Sequence, residues 1–172
     1  MSNTAPVAEV WLRGPIESID AWLMPVAHAL IQAREEIQRL ADHVRAEHVW
    51  TRPGGAASIG FHVQHLGGAT DRLFTYARGE MLDNDQKAAM KTEAAPSDPP
   101  PPLDSVVHAS VAIIDRALAQ LRATRRERLL DERRVGRAGL PSTVLGLLFH
   151  AAEHATRHVG QAITTAKILA GS

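Results

Sequence analysis

The sequence predicts an all-α four-helix bundle with one short extra helix in a connection, and three observations carry that prediction. Four long segments repeat their apolar residues at steps of three, four or seven. Glycine- and proline-rich breaks separate them: "RPGG" at 52–55, "APSDPPPPLD" at 95–104 and "RAGLPST" at 137–143. Strand signals are nearly absent, because no alternating Val/Ile/Thr run lies between hairpin turns.

The first segment runs from about Ser18 to Val44 and carries Leu23, Val26, Leu30, Ile37, Leu40 and Val44 on one face, with Pro25 in its first turns, where proline is tolerated. Ser58 is a suitable N-cap for a second helix reaching about Ala77, with Ile59, Val63, Leu66, Thr70, Leu73 and Ala77 inward. The polar stretch from Asp83 to Glu93 predicts a short helix. Four consecutive prolines then make 95–104 a stiff surface connection, since they lack N–H donors. Asp104 or Ser105 is the expected cap of a third long helix to about Leu121, carried by Val107, Val111, Ile114, Leu118 and Leu121. The fourth long helix is expected from Ser142 to about Leu169. With no internal repeat and no change of composition regime, residues 1–172 read as one domain with an N-terminal arm over 1–16.

Composition narrows the chemistry. Apolar residues make up 45% of the chain, which excludes wholesale disorder, and no run is long enough to span a membrane. The N-terminal stretch lacks the basic-then-apolar pattern of a signal peptide, so a cytoplasmic location is the expectation. The absence of cysteine excludes disulfides, thiol nucleophiles and thiolate metal sites, and agrees with that location. Lys+Arg and Asp+Glu are both 19, so no net field draws the chain to nucleic acid or anionic lipid. The arginine run "RATRRERLLDERRVGR" (122–137) is interleaved with acids and has no aromatic residue for base stacking, and reads as a solvated helix end and loop.

Nine histidines stand out against the missing cysteines. "FHAAEHATRHVGQ" (149–161) sets His150, His154 and His158 at intervals of four on the last helix. At about 100° per residue, Leu148, Phe149, Ala152, Thr156, Val159, Ile163 and Ala166 share one apolar face, and Glu153 and Arg157 mark a solvent stripe. His154 and His158 fall in a second inward sector with Leu147, Ala151, Ala162 and Leu169, whereas His150 borders the charged stripe. Imidazoles at i and i+4 stack one above the other, close enough to grip one cation. Two imidazoles hold a metal weakly, so a third is needed, and the second helix offers His62 and His65. Periodicity puts His62 inside the apolar face and His65 at its edge. Gly67, Gly68 and Ala69 follow, and each glycine weakens a helix by about 1 kcal/mol relative to alanine, which calls for a packing or functional reason.

Competing motifs fail. "HAAEH" (150–154) fits the H-x-x-E-H pattern of one class of zinc peptidases, but no acidic residue follows Glu153 to complete that ligand set. A carboxylate-bridged di-iron bundle requires Glu-x-x-His, which occurs nowhere in the chain.

In "WTRPGGAASIGFHVQHLGGATDRLFTYARGE" (50–80) and "HAAEHATRHVGQ" (150–161) the chain resembles the DinB-like superfamily, which includes bacillithiol transferases. The carriers are a His-Leu pair early in the second helix and H-x3-H followed closely by Gly-Gln in the last. The resemblance implies a four-helix bundle, frequent homodimers and a divalent metal, zinc or nickel first, held by His65, His154 and His158, with His62 the runner-up. It selects His65 because the His-Leu pair aligns there. Many members carry an arginine directly after the last ligand, where this chain has Val159. The chemistry implied is transfer of a small thiol to an electrophile. A metal-dependent hydrolase of the same fold and a non-catalytic, metal-stapled dimerising bundle are the alternatives, and the charge balance argues against DNA binding. Arg72 and Tyr76 are the candidate catalytic or substrate-contacting groups beside Asp71, and Gln161 and His150 are the candidates for supporting the metal ligands from behind.

Overall fold

In the computed structural model the chain folds as the predicted bundle, described over residues 8–93 and 95–171. The first seven residues of the expected arm lie outside that range. Its remainder packs down: Val10 is buried, its N–H donates to Gln32 Oε1 (3.0 Å), and Arg13 pairs with Glu35 (2.6 Å).

The four long helices are α1 (Met24–Ala41), α2 (Ile59–Arg78), α4 (Leu103–Ala123) and α5 (Val144–Ala170), with the short α3 (Asn84–Thr92) between the second and third of them. Helix α1 is shorter than its periodicity suggested. The Asp20 side chain accepts from Trp22 N–H and opens a 3-10 turn over Ala21–Leu23, so the α-helix starts only at Met24. Ser58 caps α2 as expected, accepting from Phe61 N–H at 3.2 Å, and Gly79 closes it at φ 84°, a left-handed conformation that glycine adopts without strain. A capping box between Asp83 and Gln86 starts α3. The cap of α4 differs from expectation. The helix begins at Leu103, directly after Pro102 and without a side-chain cap, so Asp104 and Ser105 already lie in its first turn. Helix α5 begins at Val144 rather than at Ser142, and Thr143 caps it, accepting from Gly146 N–H at 3.0 Å.

One element escaped the sequence pattern. Glu132–Val135 (β1) and Leu140–Thr143 (β2) form an antiparallel hairpin, so part of the arginine run is a strand rather than a loop. Its strands are too polar to alternate, and only Gly136 and Gly139, both at positive φ, mark the turn. The Arg133 guanidinium donates to Ala77 O at 2.8 Å and ties the hairpin to the end of α2.

Around the bundle α2 packs between α4 and α5, and α1 packs between the same two helices on the other side. The core comprises Leu23, Leu30 and Ile37 from the α1 side, Ile59, Val63 and Leu66 from α2, Ile114 and Leu121 from α4, and Leu148 and Val159 from α5, each essentially without solvent contact. On α5, Phe149 and Thr156 do not follow the wheel. Both are exposed, while Leu147, Ala151 and Ala155 turn inward, because the broad α2 contact shifts the buried stripe towards the histidine sector. Among the described residues no helix is long and apolar enough to cross a membrane.

Candidate metal centre

The α2–α5 seam brings together four histidines that lie 89 or more residues apart in sequence across the helix pair. His62 and His65 sit one turn apart on α2; His154 and His158 sit one turn apart on α5. One ring nitrogen each from His65, His154 and His158 lies within 4.8 Å of the other two, the only such group of three metal-ligating side chains among the described residues. His65 Nε2 faces His154 Nε2 at 3.0 Å, and the His158 ring centre is 4.6 Å from that of His65 and 4.5 Å from that of His154. A tetrahedral zinc ion separates its imidazole nitrogens by roughly 3.3 Å. The three rings therefore need only small adjustments to meet one cation. His62 stands behind them, more deeply buried, with Nδ1 3.0 Å from His158 Nδ1.

Burial and neighbouring charge disfavour protonation of three of these histidines. Burial, and then the neighbouring His65, His154 and His62, push the His158 imidazole down to about 3. Burial also lowers His154, reinforced by His65 and His150, and burial followed by His65 lowers His62. Neutral imidazoles offer lone pairs without proton competition, as a metal site requires. His154 Nδ1 is buried with no hydrogen-bond partner. The donor set, three imidazoles from two helices, fits a divalent transition metal.

Behind His65 stands a carboxylate absent from the sequence expectations. Glu93, one residue past α3, is buried, and its Oε2 lies 2.8 Å from His65 Nδ1. Both of its oxygens also take hydrogen bonds from the Arg72 guanidinium. Burial works against its charge, but the hydrogen bonds from His65 and Arg72 prevail and hold the carboxyl below the usual carboxylate range. With Nδ1–H donating to that carboxylate, Nε2 is the His65 ring nitrogen turned towards His154.

The glycines of α2 now have their reason. A Cβ at Gly68 would overlap Glu93 Oε1 and approach Arg72 Nη1, and one at Gly67 would meet Ser110 Oγ at 2.6 Å. At Gly60 it would meet the Trp50 ring at 2.8 Å. Each glycine admits a neighbour against the α2 backbone, and Gly68 admits the carboxylate that reaches His65. Gly68, three residues past His65 on the same helix, was the available signal for Glu93; nothing in the polar α3 pattern marks it.

The remaining candidates are spread out. Arg72 is committed to Glu93. Tyr76 lies eleven residues beyond His65, roughly 16 Å along the helix, in a separate cleft with Met81, Leu82 and Met90. Asp71 accepts from Gln86 Nε2 at 2.5 Å and fastens α3. His150 is exposed and lies 2.8 Å from Glu153, although its ring centre is 5.4 Å from that of His154. Gln161 is exposed and makes no hydrogen bond to a site imidazole. Phe61, which the sequence reading did not single out, adjoins the centre. Phe61 stacks on His65 at 5.2 Å with rings 10° from parallel, and together with Trp50, Arg52, Ser58 and Glu93 it lines a cleft of about 220 Å³.

No curated protein matches the chain. The family model of the DinB superfamily matches residues 29–162, which takes in all of α2 and α4, most of α1 and α5, the four clustered histidines and Glu93. The chain belongs to the DinB superfamily.

Proposed function

We propose that this protein is a metal-dependent enzyme that transfers a small thiol to an electrophile. The observation that carries the reading is the convergence of the His65, His154 and His158 ring nitrogens from α2 and α5. A divalent metal there, zinc or nickel by preference, supplies Lewis acidity, and three neutral ligands leave its charge undiminished to favour ionisation of a thiol or water at an open position. The chain's own residues divide the remaining work. His65, His154 and His158 hold the ion, and His62 packs against His158. Phe61 and Trp50 offer an apolar wall for a small substrate in the adjoining cleft, with Arg52 beside it. A hydrolase that activates water at the same ion is the sister reading. Metal analysis of the purified protein, followed by transfer assays across a panel of thiols and electrophiles, tests both. Turnover that needs metal and vanishes in His154→Ala while the fold survives supports an enzyme. Absence of turnover with every pair, in a protein that the metal strongly stabilises, overturns it.

The second reading is a metal staple without turnover, working in a homodimer. It is favoured by the position of the site, which joins α2 to α5 in the broadest helix contact of the bundle. In that case metal removal lowers Tm, with no substrate consumed in any assay.

A further inference from the structure

Helix α3 and the connection after it are nearly devoid of burial. Between Leu82 and Leu103, Glu93 is the one buried residue among those described. This segment is held by polar contacts: Gln86 to Asp71 and Thr75, Glu93 to Arg72 and His65, and the Pro101 carbonyl to Trp50 Nε1 at 2.9 Å. Its single buried group is therefore a carboxylate, placed against a metal-ligand candidate through the gap left by Gly68.

We infer that Glu93 is a positioning residue for the metal: from α3 it holds His65 in the tautomer and orientation that present Nε2 to the ion, so that metal binding and docking of α3 are one linked equilibrium. The inference rests on the metal reading of the histidine cluster. Its physical basis is that a carboxylate behind a ligand imidazole fixes the ring and raises its basicity, and losing such a partner weakens metal binding by about 10–100-fold. Arg72 completes the device by fixing the carboxylate and compensating its charge. Linkage makes the effect reciprocal: whatever free energy Glu93 adds to metal binding, the bound metal adds to the docking of α3.

The test uses cobalt(II) on the full-length protein, with its Kd read by chelator competition and its visible spectrum recorded. Glu93→Gln is expected to bind cobalt about 10–100-fold more weakly, with shifted absorption bands. Gly68→Ala, which displaces the carboxylate without changing a charge, is expected to move both in the same direction. Cobalt should slow tryptic cleavage at the exposed Lys87 and Lys91 of α3 in the wild type but not in Glu93→Gln. If Glu93→Gln fails to fold, Arg72→Gln/Glu93→Gln leaves neither charge unpaired and yields the same reading. A Kd within twofold of wild type and an unchanged spectrum, in whichever variant folds, would make Glu93 a fastener of α3 alone and overturn the inference. A wild-type protein that binds no cobalt, zinc or nickel overturns the metal reading itself, and this inference with it.

Discussion

Helix α5 lies between two unlike neighbours. Towards α1 it meets hydrocarbon: the buried residues of α1 are Val26, Ala27, Leu30, Ala33, Ile37 and Leu40, without a polar side chain among them. Towards α2 it meets imidazole, since His62 is buried against His158 and His65 faces His154. Apolar burial stabilises by about 25 cal/mol per Å², whereas buried unpaired polar groups cost free energy, as His154 Nδ1 does here. The comparison teaches a division of labour: the apolar α1 face, with the apolar residues of α2, carries the stability against which a cluster of closely spaced histidines is kept.

Truncating the α1 side should break this comparison most sharply. Leu30 has no solvent exposure, and Leu30→Ala should cost about 2–5 kcal/mol in urea unfolding, while metal stoichiometry stays at that of wild type. Comparable loss of metal and stability would show that the two seams are not separable.

His154→Ala should do the reverse. Metal at a hundred times its Kd adds about 2.7 kcal/mol to a protein that binds it only when folded. Calorimetry should find that increment in the wild type and none in His154→Ala, with the metal-free midpoints close together.

Acid sharpens the contrast next. His62, His154 and His158 have native pKa values below the unfolded imidazole value near 6.5, with His158 at about 3. Below pH 6.5 the unfolded chain therefore binds more protons than the native one. Stability of the metal-free protein should be full above that pH and fall as pH drops through it, with a slope on the order of 1 kcal/mol per pH unit. Urea midpoints that stay flat from pH 7.5 to 5 would contradict the depressed histidines.

The smallest effect separates two glycines. Gly160 faces open space, so Gly160→Ala should raise stability by about 0.5–1 kcal/mol. Gly68→Ala should lower it instead, because its new methyl would occupy the space of the Glu93 carboxylate. Paired thermal melts read the sign of each.

Much of the molecule was legible in one dimension. The four helices, the Ser58 cap and the inward placement of His154 and His158 follow from local rules, since periodicity and capping involve residues at most a few turns apart. The hairpin was not legible, because its polar strands carry no period. The exposure of Phe149 and Thr156 was not legible either, because a wheel gives relative angles and leaves the direction of the core to the neighbouring helices. His62 and His65 were both admissible from α2 alone. The family resemblance favoured His65, and the structure groups it with His154 and His158 while setting His62 behind His158.

The sequence by itself determined an all-helical chain with histidines at helical spacing and no thiolate to compete for a metal. Only the tertiary structure decided which faces meet, that a carboxylate at the end of the polar α3 reaches His65 through the space at Gly68, and that Arg72 pairs with Glu93 while Tyr76, four residues on, lines a separate cleft. The reason is physical. Helix formation depends on neighbours in sequence, whereas a site is made by side chains that the chain brings together from 28 to 96 residues away.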